Sequence, residues 1–276
     1  MLPYDFVFDK KGGHSGSAGG THQRTALEHL GGSGVEALLW GRVDEESQVA
    51  ATLLLAATPD VVAAARRMPS ESAIAYPLPR LSPAELAAVL RLTAHTIRPH
   101  EEATAPDALS GAIAEVQAIM QAHTEWPAAR RGAMRMLLAD ALWMQAERSQ
   151  EAGMAGEALE QYQLAVEDIL REQTPLLWAQ AHWRLGDALA AAGGRPADLQ
   201  AAVQAYRLAL EVVTIQRAPL AHASLQNRLG ATLQRQAEQT GETALFEEAI
   251  AAHRAALAVF TKAEWPREWA RTQGQL

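Results

Sequence analysis

Four prolines, Pro127, Pro175, Pro219 and Pro266, stand 48, 44 and 47 residues apart in a chain of 276 residues. Ten residues after each comes a leucine: Leu137, Leu185, Leu229 and Leu276. Gly186 and Gly230 follow two of them. Later in each interval, Ala158, Tyr162 and Ala165 are matched by Ala202, Tyr206 and Ala209, and then by Ala249, His253 and Ala256. A period of this length constrains the fold more than composition does. Each unit is a supersecondary element that cannot bury its own apolar face and must stack on its neighbours.

The spacing of four and three in Ala-x3-ring-x2-Ala puts all three residues on one face of a helix. Small residues there let a neighbouring helix approach, and the ring fills the gap beside them. The stretch "LLWAQAHWRLGDALAAAGG" (176–194) is a strong helix former interrupted by Gly186, which costs about 1 kcal/mol relative to alanine. Its recurrence as Gly230 calls for a packing reason: at both positions the first helix of the unit comes close to the second. His182 and His253 fall at core positions of the repeat and are expected to be packed and hydrogen-bonded. Trp126, Trp178, Trp265 and Trp269 fall at the starts of first helices and are expected to seal junctions between units.

This pattern, Leu-Gly in one helix and Ala-x3-Tyr-x2-Ala in the next, resembles the tetratricopeptide repeat (TPR). The usual period of that family is about 34 residues, and its early Trp position is held here by His182 and Gln226. The longer period is similar to that of kinesin-light-chain-type and proteobacterial TPR arrays, with longer helices and the loops "AAAGGRPADLQ" and "AEQTGETALFE". The resemblance covers residues 124–276, with the last repeat incomplete. It implies a mainly α fold, a TPR-type α-solenoid of helical hairpins, preceded by a small α/β domain.

Residues 1–80 are read as that α/β domain. Strands are expected at Tyr4–Phe8, Val35–Val43, Val49–Ala56 and near Ser72–Tyr76. A Gly-rich loop (12–20), a helix near Thr21–Leu30 and a polar hairpin loop, "DEESQ", lie among them. The beginning of this region is similar to TolB-N-like domains. Residues 81–123 are read as connecting helices, the first capped by Ser82 with Pro83 as its first residue and the second near Asp107–His123.

Several chemistries have weak footing. The net charge of −8 argues against nucleic acid, and the doublets Lys10-Lys11, Arg66-Arg67 and Arg130-Arg131 read as solvated surface. The absence of cysteine removes disulfides, thiol catalysis and Cys-ligated zinc. "GGHSGSAGG" around Ser15 lacks the closing glycine of a nucleophile elbow. It also lacks the Lys of a P-loop and the G-x-G-x-x-G spacing. His100 opens "HEEAT", which is not H-E-x-x-H. His14, His22 and His29 are spaced by eight and seven residues, so only His22 and His29 would share a helix face, and two ligands are weak footing for a metal. No metal, cofactor or catalytic residue is assigned. No stretch approaches the roughly 20 apolar residues of a membrane span, and the first thirty residues lack the apolar core of a secretory signal. A cytoplasmic location follows by default.

The resemblance also implies a function: a non-enzymatic protein–protein interaction scaffold whose first helices line a groove for a partner peptide or helix. Carrying the family's groove positions over from Gly186 and Gly230 gives Gln180, Trp183, Asp187, Ser224, Asn227, Gln234 and Arg235. Arg135 and Arg271 extend the row through the proline alignment. Two alternatives stay open. One is a nucleotide- or ligand-sensing or enzymatic N-terminal domain regulated by the repeats. The other is a scaffold that self-assembles, since "WPREWARTQGQL" leaves Trp265, Trp269 and Leu276 on an uncapped repeat. That end points to a piece of a longer array or to a homo-oligomer.

Overall fold

The fold is mainly α. In this computed structural model the described residues are 5–8, 37–43, 49–56, 73–97, 106–149, 152–192 and 195–276. The expected helix at Thr21–Leu30, the Gly-rich loop with Ser15, the DEESQ loop, His14, His22, His29, His100 and the doublets Lys10-Lys11 and Arg66-Arg67 lie outside them.

Four strands come first: β1 (Asp5–Phe8), β2 (Ala37–Val43), β3 (Val49–Ala56) and β4 (Ala73–Pro77). They form one sheet in the order β1-β2-β3-β4. β1 runs parallel to β2, with Phe6 opposite Leu39. β2, β3 and β4 are antiparallel neighbours, with Leu39 opposite Leu53 and Leu53 opposite Tyr76.

Nine helices follow among the described residues. They are α1 (Pro83–Ile97), α2 (Pro106–Ala122), α3 (Ala128–Ser149), α4 (Ala152–Asp168), α5 (Pro175–Ala192), α6 (Pro196–Leu210), α7 (Pro219–Thr240), α8 (Thr243–Leu257) and α9 (Pro266–Gln273). Proline is the first residue of α1, α2, α5, α6, α7 and α9. Its missing N–H is one that a first turn leaves unpaired anyway, and its fixed φ suits the helix. α1 opens on a capping box. The Ser82 N–H donates to Glu85 Oε2 at 2.7 Å, and the Glu85 N–H points back at Ser82 Oγ at 3.4 Å. α7 ends on Gly241, whose φ of 75° is the left-handed conformation that a side chain disfavours. Its N–H closes on the Ala237 carbonyl at 2.8 Å.

The chain divides into two compact units, Met1–Leu177 and Trp178–Leu276. In the first, Leu109, Ala112, Ile113 and Val116 of α2 recur at helical spacing and are buried, as are Leu86, Val89 and Leu92 of α1. α3 pairs closely with α4, and Met134 and Met136 are both wholly buried, so α3 is enclosed on more than one face. Ala158, Tyr162 and Ala165 of α4 are buried, and the Tyr162 hydroxyl donates to Asp140 Oδ1 of α3 at 2.6 Å.

The second unit repeats this scheme with a glycine against the ring. Ala202, Tyr206 and Ala209 of α6 are buried, and so are Ala249, His253 and Ala256 of α8. A Cβ placed on Gly186 would stand 2.7 Å from Tyr206 Cε1, and one on Gly230 would stand 2.7 Å from His253 Cε1. These distances are shorter than carbon atoms tolerate, so only glycine admits the ring of the next helix. The first unit has its own version at another position: a Cβ on Gly132 would meet Ile169 Cγ1 at 2.6 Å. Ile169, Val213 and Phe260, each six residues before a helix-opening proline, are all buried and close the core at the turn out of the second helix.

His253 is wholly buried, and its Nδ1–H donates to Asn227 Oδ1 at 2.9 Å. Burial pushes its pKa down, so the ring is held neutral. His182 differs from the expectation. It is half-buried, its ring stands edge-on to Trp178 with centroids 4.3 Å apart, and its buried Nδ1 has no hydrogen-bond partner among the described residues.

His123, just after α2, ties the first unit together. Its Nε2 lies 2.8 Å from Glu85 Oε1 of α1, its Nδ1 lies 3.3 Å from Glu125 Oε1, and its ring stacks on Trp126 at 5.0 Å. The bond to Glu85 raises its pKa above the ordinary 6.5. A raised imidazole stabilises the fold fully below its unfolded value, and that contribution fades as pH rises through the folded value. The stability difference between the native chain and His123→Gln is therefore expected to be larger near about pH 6 than near about pH 8. Urea unfolding at the two pH values measures it, and a difference that grows with pH contradicts the assignment.

Candidate functional site

On a helix of 3.6 residues per turn, Ser224, Asn227, Gln234 and Arg235 share one side of α7. They sit at different depths. Ser224 and Gln234 are half-buried, Asn227 is buried, and Arg235 is exposed. Asn227 is engaged by His253. Gln234 Nε2 donates to Glu238 Oε1 at 3.2 Å, along its own helix. Arg235 Nη1 donates to the Ala190 carbonyl, one of the last four of α5, at 2.7 Å, which fixes the guanidinium beside a helix-end acceptor. Arg271 is exposed on α9.

The α5 positions lie deeper. Gln180 and Trp183 are buried, and the Trp183 Nε1–H has no acceptor among the described residues. Asp187 is engaged internally: it accepts from the Tyr206 hydroxyl at 2.8 Å and from Arg228 Nη1 at 3.0 Å. Burial pushes its carboxyl above the ordinary carboxylate range, against the pull of Arg228, Arg184 and Tyr206. Gln180, Trp183 and Asn227 thus belong to the interior rather than to an open face. The physical reason is that neighbouring helices close over one edge of the row that the spacing defines. Ser224, Gln234, Arg235 and Arg271 keep accessible surface.

Arg135 sits in the first unit. Its Nε lies 3.1 Å from Asp168 Oδ2 at the end of α4. Arg131 holds the same carboxylate by two bonds, Nε to Oδ2 at 2.9 Å and Nη2 to Oδ1. The Arg131 guanidinium is thereby raised further, and it also donates to the Trp126 carbonyl at 3.3 Å. This half of the Arg130-Arg131 doublet is therefore a structural ion pair. A carboxylate on the last residue of a helix opposes the negative end of the macrodipole, and two guanidiniums offset it. The sequence held no sign of the pairing, because its members lie 37 residues apart on different helices.

Among the described residues no three His, Asp or Glu side chains converge as metal ligands. No described helix is long and apolar enough to cross a membrane. No protein-family model matches the chain, and no curated protein is significantly similar to it in sequence.

Proposed function

We propose that residues 124–276 form a TPR-type array that acts as a non-enzymatic interaction scaffold, with a partner peptide or helix lying along its first helices. The observation that carries this reading is the glycine–ring contact made twice at the repeat position, Gly186 against Tyr206 and Gly230 against His253. It fits a period in which each first helix is pressed onto the second helix of its own hairpin. The binding face is assigned to Ser224, Gln234, Arg235 and Arg271. It mixes hydroxyl, amide and guanidinium groups, which suits a partner of mixed polarity better than a densely acidic one. The N-terminal residues 1–80 are assigned a supporting α/β domain, and the protein is assigned to the cytoplasm.

The test is capture of partners from the native cell with the intact chain and with a triple variant, Ser224→Arg, Gln234→Glu and Arg271→Glu. These side chains reach solvent, so the helical circular dichroism is expected to persist. Recovery of a specific partner is expected to fall by about tenfold or more, which corresponds to about 1.4 kcal/mol. Undiminished recovery by a folded variant overturns the assignment of this face.

A further inference from the structure

A cavity of about 450 Å³ opens between α2, α3 and α4, entirely within the first unit. Arg131 and Arg135 line it together with the amide of Gln161. Arg131 is occupied by Asp168 and the Trp126 carbonyl. Arg135 is not: beyond its Nε approach to Asp168, its Nη1 is shielded from water and has no acceptor among the described residues. The side chain is 19% exposed. Leaving guanidinium donors unmet in such a place costs free energy, and a shift of the side chain toward a charged acceptor in the cavity would recover it. One carboxylate serves two guanidiniums here, so the Arg131–Asp168–Arg135 group carries an excess positive charge. Its Nε stands 3.1 Å from Asp168 Oδ2 without a hydrogen bond, so the Arg135 guanidinium is not locked in place and can turn toward an entering anion.

The rest of the lining narrows the choice of anion. Glu157 stands in the wall, its Oε1 accepting from Gln117 Nε2 at 2.6 Å. A carboxylate at that point repels any anion, and a doubly charged phosphate about twice as strongly as a single carboxylate. Met120, Leu138 and Leu164 add an apolar surface that a bare inorganic ion would leave unused. The volume falls in the usual range for small-molecule sites. We infer that this cavity binds a small organic carboxylate with an apolar body, the carboxylate on Arg135 and the body against Leu138 and Leu164. The site is separate from the α7 face and does not depend on the array reading.

Calorimetric titration of the full chain with N-acetyl-leucine tests it, with N-acetyl-leucinamide and inorganic phosphate as comparison probes. Saturable binding of N-acetyl-leucine is expected, with the amide and phosphate each weaker by about tenfold or more. Arg135→Met is expected to lose at least about tenfold in affinity, with Arg135→Lys in between. Gln161→Glu, which leaves the Asp168 pairs untouched, is expected to weaken binding similarly and serves if Arg135→Met fails to fold. A hexapeptide ending in a leucine carboxylate separates the sources. Tighter binding than N-acetyl-leucine assigns the site to a chain terminus, and equal or weaker binding assigns it to a free small molecule. No binding of either carboxylate at about 10 mM overturns the inference. So does equal binding of the amide or phosphate, or unchanged affinity in Arg135→Met or Gln161→Glu.

Discussion

Tyr206→Ala is expected to destabilise the protein by about 3–5 kcal/mol. Tyr206 is among the largest wholly buried side chains, and its ring occupies the space that Gly186 leaves open. Truncation opens a cavity between α5 and α6 that a helix pair cannot close without moving backbone. It also removes the hydroxyl that donates to Asp187, leaving that carboxylate with Arg228. Tyr206→Phe isolates the second effect and is expected to cost about 1.5–3 kcal/mol, the value of a hydrogen bond to a charged group. The sign of its pH dependence follows from Asp187. A carboxyl raised in the folded state favours the fold below its unfolded value of about 3.8, and that advantage is lost as pH rises through the folded value. The Tyr206 hydroxyl bonds the charged form, so the deficit of Tyr206→Phe is expected to be larger near about pH 7 than near about pH 4. Urea melts at both pH values measure it. An equal or smaller deficit at neutral pH contradicts the role given to Asp187.

Gly186→Leu approaches the same contact from the other helix and is expected to cost about 3 kcal/mol. The helix propensity of leucine favours the substitution by somewhat under 1 kcal/mol. Steric conflict outweighs it, because the Cβ alone would sit 2.7 Å from one ring carbon and 2.9 Å from the next. The ring is buried and its hydroxyl is bonded, so it has little room to yield. Gly111 and Gly156 supply the control, since a Cβ on either meets nothing within 4 Å. Both lie in helices, and alanine there is expected to stabilise by about 0.5–1 kcal/mol. Thermal or urea melts of the three variants decide. A neutral Gly186→Leu would mean that the close approach of α5 to α6 is not fixed.

The helices were readable because their signals are local. Proline at the first helical position and the small–ring–small spacing each describe one turn or one face. The strands at 49–56 and 73–77 were readable for the same reason. Ile169, Val213 and Phe260 share a repeat position that the sequence does not announce, because each is apolar in a different way and no letter recurs. The Arg131–Asp168–Arg135 group had no legible signal, since Arg130-Arg131 looks like any solvated doublet until α4 brings Asp168 to it. The row through Gln180, Trp183 and Asn227 shows a further limit. Spacing tells which side of a helix a residue occupies, but the depth to which neighbours close over that side is a property of packing.

Hydrogen exchange on the captured complex tests the central claim most directly, because it reports which helices a partner covers. If the first helices of the repeats receive the partner, amide exchange slows in α7 and α9 and in the exposed part of α5. Exchange in α6, α8, β2 and β3 then stays as in the free chain. Protection confined to α6 and α8, or to β2 and β3, would contradict the account.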